Sequence, residues 1–551
     1  MKKIIMMFCT SAILASCVGI LDDDKTTVNT GEIEESYIAI NLMSADPDTR
    51  ADGATYQDGS AEERAVKSAY FFFFQNGEPF PVTVTDGAVT APGTGANFLS
   101  ANLTGNNSAM PNVSDVKNVV LLLKNYKGQY PNQIIAVLNW VPVAGESYTM
   151  DELKDIVDVQ STIQSNNYFV MSNAVYADAA GQAVTATPLT LANIFTTSAA
   201  AEASPVNIYV ERIAAKVTVT APASKKFDLN KNVTIGSTPI KAYAQLTGWE
   251  LYNDFQQSYL LKQIDPKWTV DDIGFNWNDP SFYRSYWATS PTPAWSNNSF
   301  TWDGGLDFAL NENVINGTYA SNTYVYCGEN TTSTAADRTK VILKAQLVKE
   351  DGTAIELARW YGTDYIGESD LLTAVANTLK NTYYYKSDDS YSSIAPADLM
   401  CVVGGGADAP AGVSATEVYF QLSTAGEDKE WFEYSSSNGY EAVADADLNT
   451  MLKGVPSAIL YKEGQTYYYF DIKHLGAAGK DAEYGIVRNH IYSININSIG
   501  GFGSPVYFPT SNLENPEYPE VPSDEGSFVS AKVNILSWRL VSQGVDIQPA
   551  N

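Results

Sequence analysis

The sequence predicts an all-β protein of more than one domain, and three observations carry that prediction. Thr, Asn, Ser, Tyr and Gly are abundant, whereas long amphipathic helical periodicities are few. Apolar residues recur instead in short runs or strict alternation, bounded by Gly, Pro and Asn. At 551 residues the chain is too long for a single hydrophobic core.

A hydrophobic content of 45% with 12% aromatics is that of a folded globule. The charge balance, 34 Lys+Arg against 63 Asp+Glu, gives a net charge of -29 and excludes nucleic acid as a partner, because phosphate binding needs clustered cations. It also disfavours docking to an anionic membrane surface.

The first residues read as a targeting segment. Lys2 and Lys3 precede the apolar run IIMMFCTSAILA, which is too short to span a bilayer. The run ends in LASC, residues 14–17, which is similar to a bacterial lipobox and makes Cys17 the expected site of acylation. An acylated Cys17 would anchor the chain without spanning the membrane. Residues 1–17 are thus a lipoprotein signal, and 18–36 a polar, acidic tether.

The next segment, YIAINLMS at 37–44, alternates, with Ile38, Ile40 and Leu42 on one face of an expected half-buried strand. Asp46 to Gly53 is a loop by its composition, and it carries Arg50, the first arginine of the chain. The body opens with Tyr70–Phe74, an apolar run expected to be buried on both faces and followed by an Asn-Gly turn. Residues 119–126 and 133–143 are two further core strands. Thr149 is positioned to cap a helix over MDELKDIVDV, and Ser369 one over DLLTAVANTLKN. The alternating run 206–222 ends at Pro222, which places one domain at 51–222 and a second at 223–500. A Pro- and acid-rich stretch over 501–527 reads as an extended linker. Beyond it, 528–551 returns to strand: Val529, Ala531, Val533 and Ile535 share one face, then the phase moves to Leu536, Trp538 and Leu540, as a bulge or bend requires.

Catalytic machinery has no support in the sequence. The two histidines, His474 and His490, lack an HExxH context, no GxSxG elbow occurs, and the GGG at 404–406 lacks the Lys of a phosphate loop. No catalytic residue, metal ligand or cofactor is therefore assigned. A glycosidase carboxylate pair is not singled out among 63 acids. Cys327 and Cys401 remain after the signal, in a compartment that permits either a disulfide or two buried thiols. A tryptophan-rich stretch offers Trp277 and Trp287 as glycan-stacking candidates, against the plainer reading that such rings pack a long excursion onto the core.

Taken in order, the lipobox, the strand-then-Arg segment at 37–50, VERIAAKVTV, SYLLKQI…YRSYWATSP, VRNHIYSININSI, the linker and the Trp538 strand resemble the type V pilus fimbrillins, specifically the Mfa-type major fimbrial subunit. The resemblance implies two transthyretin-like β-sandwich domains with a few short helices, and an outer-membrane lipoprotein precursor whose mature form lies in surface fimbriae. It implies that an arginine-specific protease cuts between Arg50 and Ala51, releasing the anchor and the 37–44 strand, with Arg64 as a lower-ranked second site. A donor strand at about 528–547 of another copy would fill the vacated groove. The implied partners are further copies of the chain, accessory anchor and tip subunits, the protease, and host or bacterial surface receptors. The expected function is a non-enzymatic fimbrial subunit for adhesion and biofilm formation; the alternative is a monomeric surface glycan-binding lipoprotein.

Overall fold

A computed structural model describes residues 34–43 and 59–505, apart from short internal stretches and the longer segments 265–287 and 292–323, together with 528–536 and 540–544. Cys17, Arg50, Ala51, Trp277, Trp287 and Trp538 lie outside the described residues. The fold is mostly β, built from several largely antiparallel sheets with a few short helices.

The first described strand, β1 (Glu34–Met43), belongs to a twelve-stranded sheet formed by the N-terminal part of the chain. Within that sheet it lies between β2 (Val116–Asn125) and β3 (Val206–Arg212). The strand Ala69–Gln75 crosses the middle of the same sheet, paired with Gln133–Leu138 and Phe98–Ala101. Four consecutive phenylalanines are fully buried because each face of this strand meets a separate core. Phe71 and Phe73 join Ile38, Leu121 and Ile208, while Phe72 and Phe74 join Tyr148, Leu153 and Leu260. The strand turns back at Asn76 and Gly77, with φ of 55° and 85°; both central positions are left-handed, as an Asn-Gly hairpin turn requires.

The run 206–222 divides at Ile213–Ala214. β3 stays in the large sheet, whereas β4 (Ala215–Thr220) pairs antiparallel with β5 (Tyr324–Cys327) and parallel with β6 (Ile491–Gly500). The change of sheet thus falls several residues ahead of Pro222. β6 continues to β7 (Phe528–Leu536) and β8 (Leu540–Gly544), completing the order β5-β4-β6-β7-β8. A second five-stranded sheet, from Lys226–Ile235 to Ser504–Pro505, shares one apolar cluster with it, including Val217, Val219, Ile494, Leu246, Leu343 and Tyr468. A further group over 357–461 packs a five-stranded and a four-stranded sheet around the helices Gly367–Leu379 and Asp445–Lys453, with Trp431, Phe420 and Leu371 at its centre.

Three sequence expectations are corrected. The helix capped by Thr149 spans only Met150–Asp155; it has the full Thr149–Glu152 capping box, but Val157–Val159 leaves it to pair as a strand with Gln257–Tyr259. The second helix begins at Gly367, so Ser369 lies inside it, and the Glu356 carboxylate, accepting from the Glu368 amide, serves the first turn instead. Residues 501–505, read as the start of a linker, are held by the body instead: Phe502 and Ser504 are buried, and the Tyr461 and Thr466 hydroxyls donate to the Gly503 and Phe502 carbonyls.

Candidate functional site

β1 is an interior strand. All ten of its residues stand in antiparallel register with β2, from Glu34 opposite Asn125 to Met43 opposite Val116. On the other side Ile40–Met43 run parallel to Val206–Tyr209 of β3. The strand begins three residues before Tyr37 because Glu34–Ser36 continue the pairing with Leu123–Asn125. Ile38 exposes none of its surface and lies opposite Leu121, also fully buried, while Ile40 and Leu42 stand opposite Val119 and Lys117. A parallel neighbour in a mostly antiparallel sheet needs a long connection. Here β1 and β3 are more than 160 residues apart in the chain. Withdrawing β1 would leave two facing strands, β2 and β3, with unpaired backbone groups and an apolar slot between them.

The C-terminal strand lies elsewhere, on the edge of β6. Val529, Ala531, Val533 and Ile535 stand opposite Ile499, Ile496, Ile494 and Tyr492, with a register irregularity between Ile496 and Ser498. The phase change after Ile535 is resolved as a hairpin: β7 ends at Leu536, β8 begins at Leu540, and these two residues are opposite each other. Within one chain, then, this terminal segment folds back on its own sheet.

The first described residues after Arg50, from Gly59 onward, are pinned to the body. Ser60 and Glu63 form a reciprocal cap: the Ser60 amide donates to the Glu63 carboxylate at 2.7 Å, and the Glu63 amide to the Ser60 hydroxyl at 3.2 Å. Glu63, 2% exposed as a residue, also receives on its carboxylate Lys216 of β4 at 3.0 Å and the hydroxyl of Tyr326 of β5. Its carbonyl accepts from Arg212 Nε of β3 at 2.6 Å, and Arg212 reaches on to Asn489. Burial acts to raise the Glu63 carboxyl, but the Lys216 charge and the bonds from Tyr326, Lys216 and Ser60 outweigh it and hold the group below its ordinary value. The packing is tight enough that a Cβ on Gly59 would come within 2.9 Å of the Arg212 guanidinium. Just beyond, Asn139 ties residues 65–68: its amide group donates to the Ala65 carbonyl at 2.7 Å, and its oxygen accepts from the Lys67 amide at 2.6 Å.

β3 itself is fixed from the opposite side by buried charge. Glu211 pairs with Lys262 at 3.0 Å, and Arg488 with Glu329 at 2.7 Å; none of the four side chains is exposed. Arg488 also donates to the Tyr259 and Leu260 carbonyls. Burial pushes the Glu211 carboxyl up and the Lys262 ammonium down. The Ser60-x-x-Glu63 pattern was the one sequence signal for this network; its distant partners had none.

Cys327 and Cys401 are both thiols, each buried in a different apolar cluster, so the bridge left open by the sequence is not formed. Among the described residues no group of three His, Cys, Asp or Glu could hold a metal ion, and no helix is long and apolar enough to cross a membrane.

The arrangement is that of a mostly β protein whose first described strand is built into the interior of one sheet and whose 528–544 hairpin lies on the edge of another. Residues 459–544, which include β6, β7 and β8, match the family model described as major fimbrial subunit protein type IV, Fimbrillin, C-terminal. No curated protein matches the chain. Among solved structures, a candidate cell adhesion protein from Parabacteroides distasonis ATCC 8503 is 13% identical, with a TM-score of 0.34 over 93% of this chain and 98% of its own. A second, from Bacteroides eggerthii DSM 20697, is 10% identical with a TM-score of 0.33 over 92% and 98%.

Proposed function

We propose that this protein is a structural, non-enzymatic subunit of a surface fimbria, exported as a lipoprotein acylated at Cys17 and assembled by protease-triggered strand exchange. The observation that carries the reading is the interior position of β1 between β2 and β3. An arginine-specific cut between Arg50 and Ala51 would sever β1 from the body and allow a complementary strand to enter. The 528–547 segment of another copy is the proposed occupant, since its Val529/Ala531/Val533/Ile535 face has the period of the Ile38/Ile40/Leu42 face it would replace. The fimbrillin match over 459–544 supports the fimbrial role of that end of the chain. The two β-sandwich domains, the outer-membrane route and the anchor, tip and receptor partners belong to the same proposal.

The test is the N-terminus of the protein recovered from the cell surface. A start at Ala51 is expected; a population that retains acylated Cys17 throughout overturns the reading. Deleting residues 528–551 is expected to abolish SDS-resistant ladders, and ladders that persist unchanged overturn the donor assignment.

A second reading, glycan binding by a surface lipoprotein, draws support from an aromatic sheet face at 383–443. Tyr383 and Trp431 face the core there, while Tyr391, Tyr434 and Tyr440 are 37–41% exposed, with the Tyr391 and Tyr440 rings stacked at 3.7 Å. Loss of saccharide binding in Tyr440→Ala with the fold retained would favour it; unaltered or absent binding counts against it.

A further inference from the structure

We propose that the Glu63 network is a protease stop: it withholds the Arg64–Ala65 bond from arginine-specific cleavage, so that processing ends upstream and the segment entering the Ala69–Gln75 strand stays intact. The inference rests on the maturation reading above for its biological setting, but its geometry is independent of it.

An endopeptidase binds its substrate extended, with several residues on each side of the scissile bond drawn out of the protein, so a bond in folded structure is cut only after local opening. Arg64 is the only arginine of the chain between Arg50 and Arg212. It sits at the end of a closed turn, not an extended strand: its amide donates to the Ser60 carbonyl, and the Ala65 amide to the Glu62 carbonyl, both at 3.1 Å. On the N-terminal side of the bond, Glu63 is held at three points, by Lys216 and Tyr326 on its carboxylate and by Arg212 on its carbonyl. On the C-terminal side, the Ala65 carbonyl and the Lys67 amide are held by Asn139, itself 7% exposed. These contacts come from β3, β4, β5 and the loop after Gln133–Leu138, so drawing out residues 62–67 breaks bonds to four separate elements. Extracting Glu63 would also leave Lys216, whose side chain is 15% exposed, without its carboxylate.

The experiment digests the purified full-length chain with an arginine-specific endopeptidase and maps new N-termini against time by mass spectrometry. In the native chain, cleavage after Arg64 is expected to be at least about 100-fold slower than in the urea-denatured chain. Glu63→Ala is expected to raise cleavage at Arg64 by roughly 10- to 100-fold, with cleavage at Arg50 unchanged. Ser60→Ala, which removes only the reciprocal cap, is expected to raise it less and serves if Glu63→Ala does not fold. A general loosening of the fold would instead raise cleavage at many arginines together. Native cleavage at Arg64 as fast as in the denatured chain, or no gain at Arg64 in folded Glu63→Ala and Ser60→Ala, overturns the proposal. If Arg50 is never cut but Arg64 opens only in the variants, the stop stands and the maturation reading falls. If both are cut readily in the native chain, the stop falls and the maturation reading stands.

Discussion

Ile38 of β1 lies directly opposite Leu121 of β2, and neither side chain exposes any surface. The first strand therefore contributes to the core of the large sheet, and its loss is a loss of packing as well as of backbone pairing. Ile38→Ala is expected to lower the unfolding free energy of the uncut chain by about 2–5 kcal/mol, the usual range for an emptied core site. Denaturant unfolding measures it, and an unchanged midpoint would show that Ile38 does not pack in this slot. Cleavage at Arg50 followed by loss of β1 would remove residue 38 altogether, so the test uses the uncut chain.

Glu63 predicts an acid-dependent contribution to stability. Its folded value lies below the ordinary carboxylate value because the Lys216 charge and three sets of hydrogen bonds outweigh burial. A depressed carboxyl binds fewer protons folded than unfolded, so it stabilises the fold above the ordinary value of about 4.3. That contribution disappears as the pH falls through the folded value. Wild type is expected to be more stable than Glu63→Gln at pH 7, with the gap narrowing steadily below about pH 4. Urea unfolding across that range checks it; a gap that is constant with pH would mean that the charge on Glu63 contributes nothing.

How much of this was written in the sequence differs between local and long-range features. The burial of Phe71–Phe74 on both faces followed from an unbroken apolar run, and the turn at Asn76-Gly77 from the conformational freedom of those two residues. The alternation of Ile38, Ile40 and Leu42 pointed to a strand, but period two does not name a neighbour, so the position between β2 and β3 was not legible. The helix after Thr149 was read too long because Val157–Val159 continues the apolar pattern while pairing with a strand about 100 residues away. Glu63 shows the same limit from the polar side: its cap partner is three residues away and visible, whereas Lys216 and Tyr326 are 153 and 263 residues away. Buried charges such as Lys262 and Arg488 read as surface residues in a sequence, since such groups are almost never enclosed unless paired.

The Arg488–Glu329 pair predicts a sharp asymmetry between single and double substitution. Both side chains are fully enclosed, and Arg488 donates to two backbone carbonyls as well. Arg488→Met leaves Glu329 enclosed without its countercharge and is expected to cost about 3–5 kcal/mol. Adding Glu329→Leu removes the stranded charge and is expected to recover a substantial part of that loss. Thermal unfolding of the three variants forms the cycle; a double variant as unstable as the sum of the two singles would show that the two residues do not act as a pair.

Cys327 and Cys401 predict chemical silence in the folded protein. They occupy separate apolar clusters, and burial, with Glu368 nearby, pushes the Cys401 thiol well above its ordinary value. The thiolate is the reactive form, so neither an oxidant nor an alkylating reagent has a target until the core opens. Migration on non-reducing and reducing gels is expected to be identical. Both thiols are expected to react with a maleimide in denaturant, with Cys401 labelled slowly or not at all beforehand. A reduction-dependent shift in migration would mean that the two cores approach each other in a way this fold does not allow. Fast labelling of Cys401 in the native state would place local opening of the 357–461 group well within reach of solvent, at a free-energy cost set by the ratio of the native and denatured labelling rates.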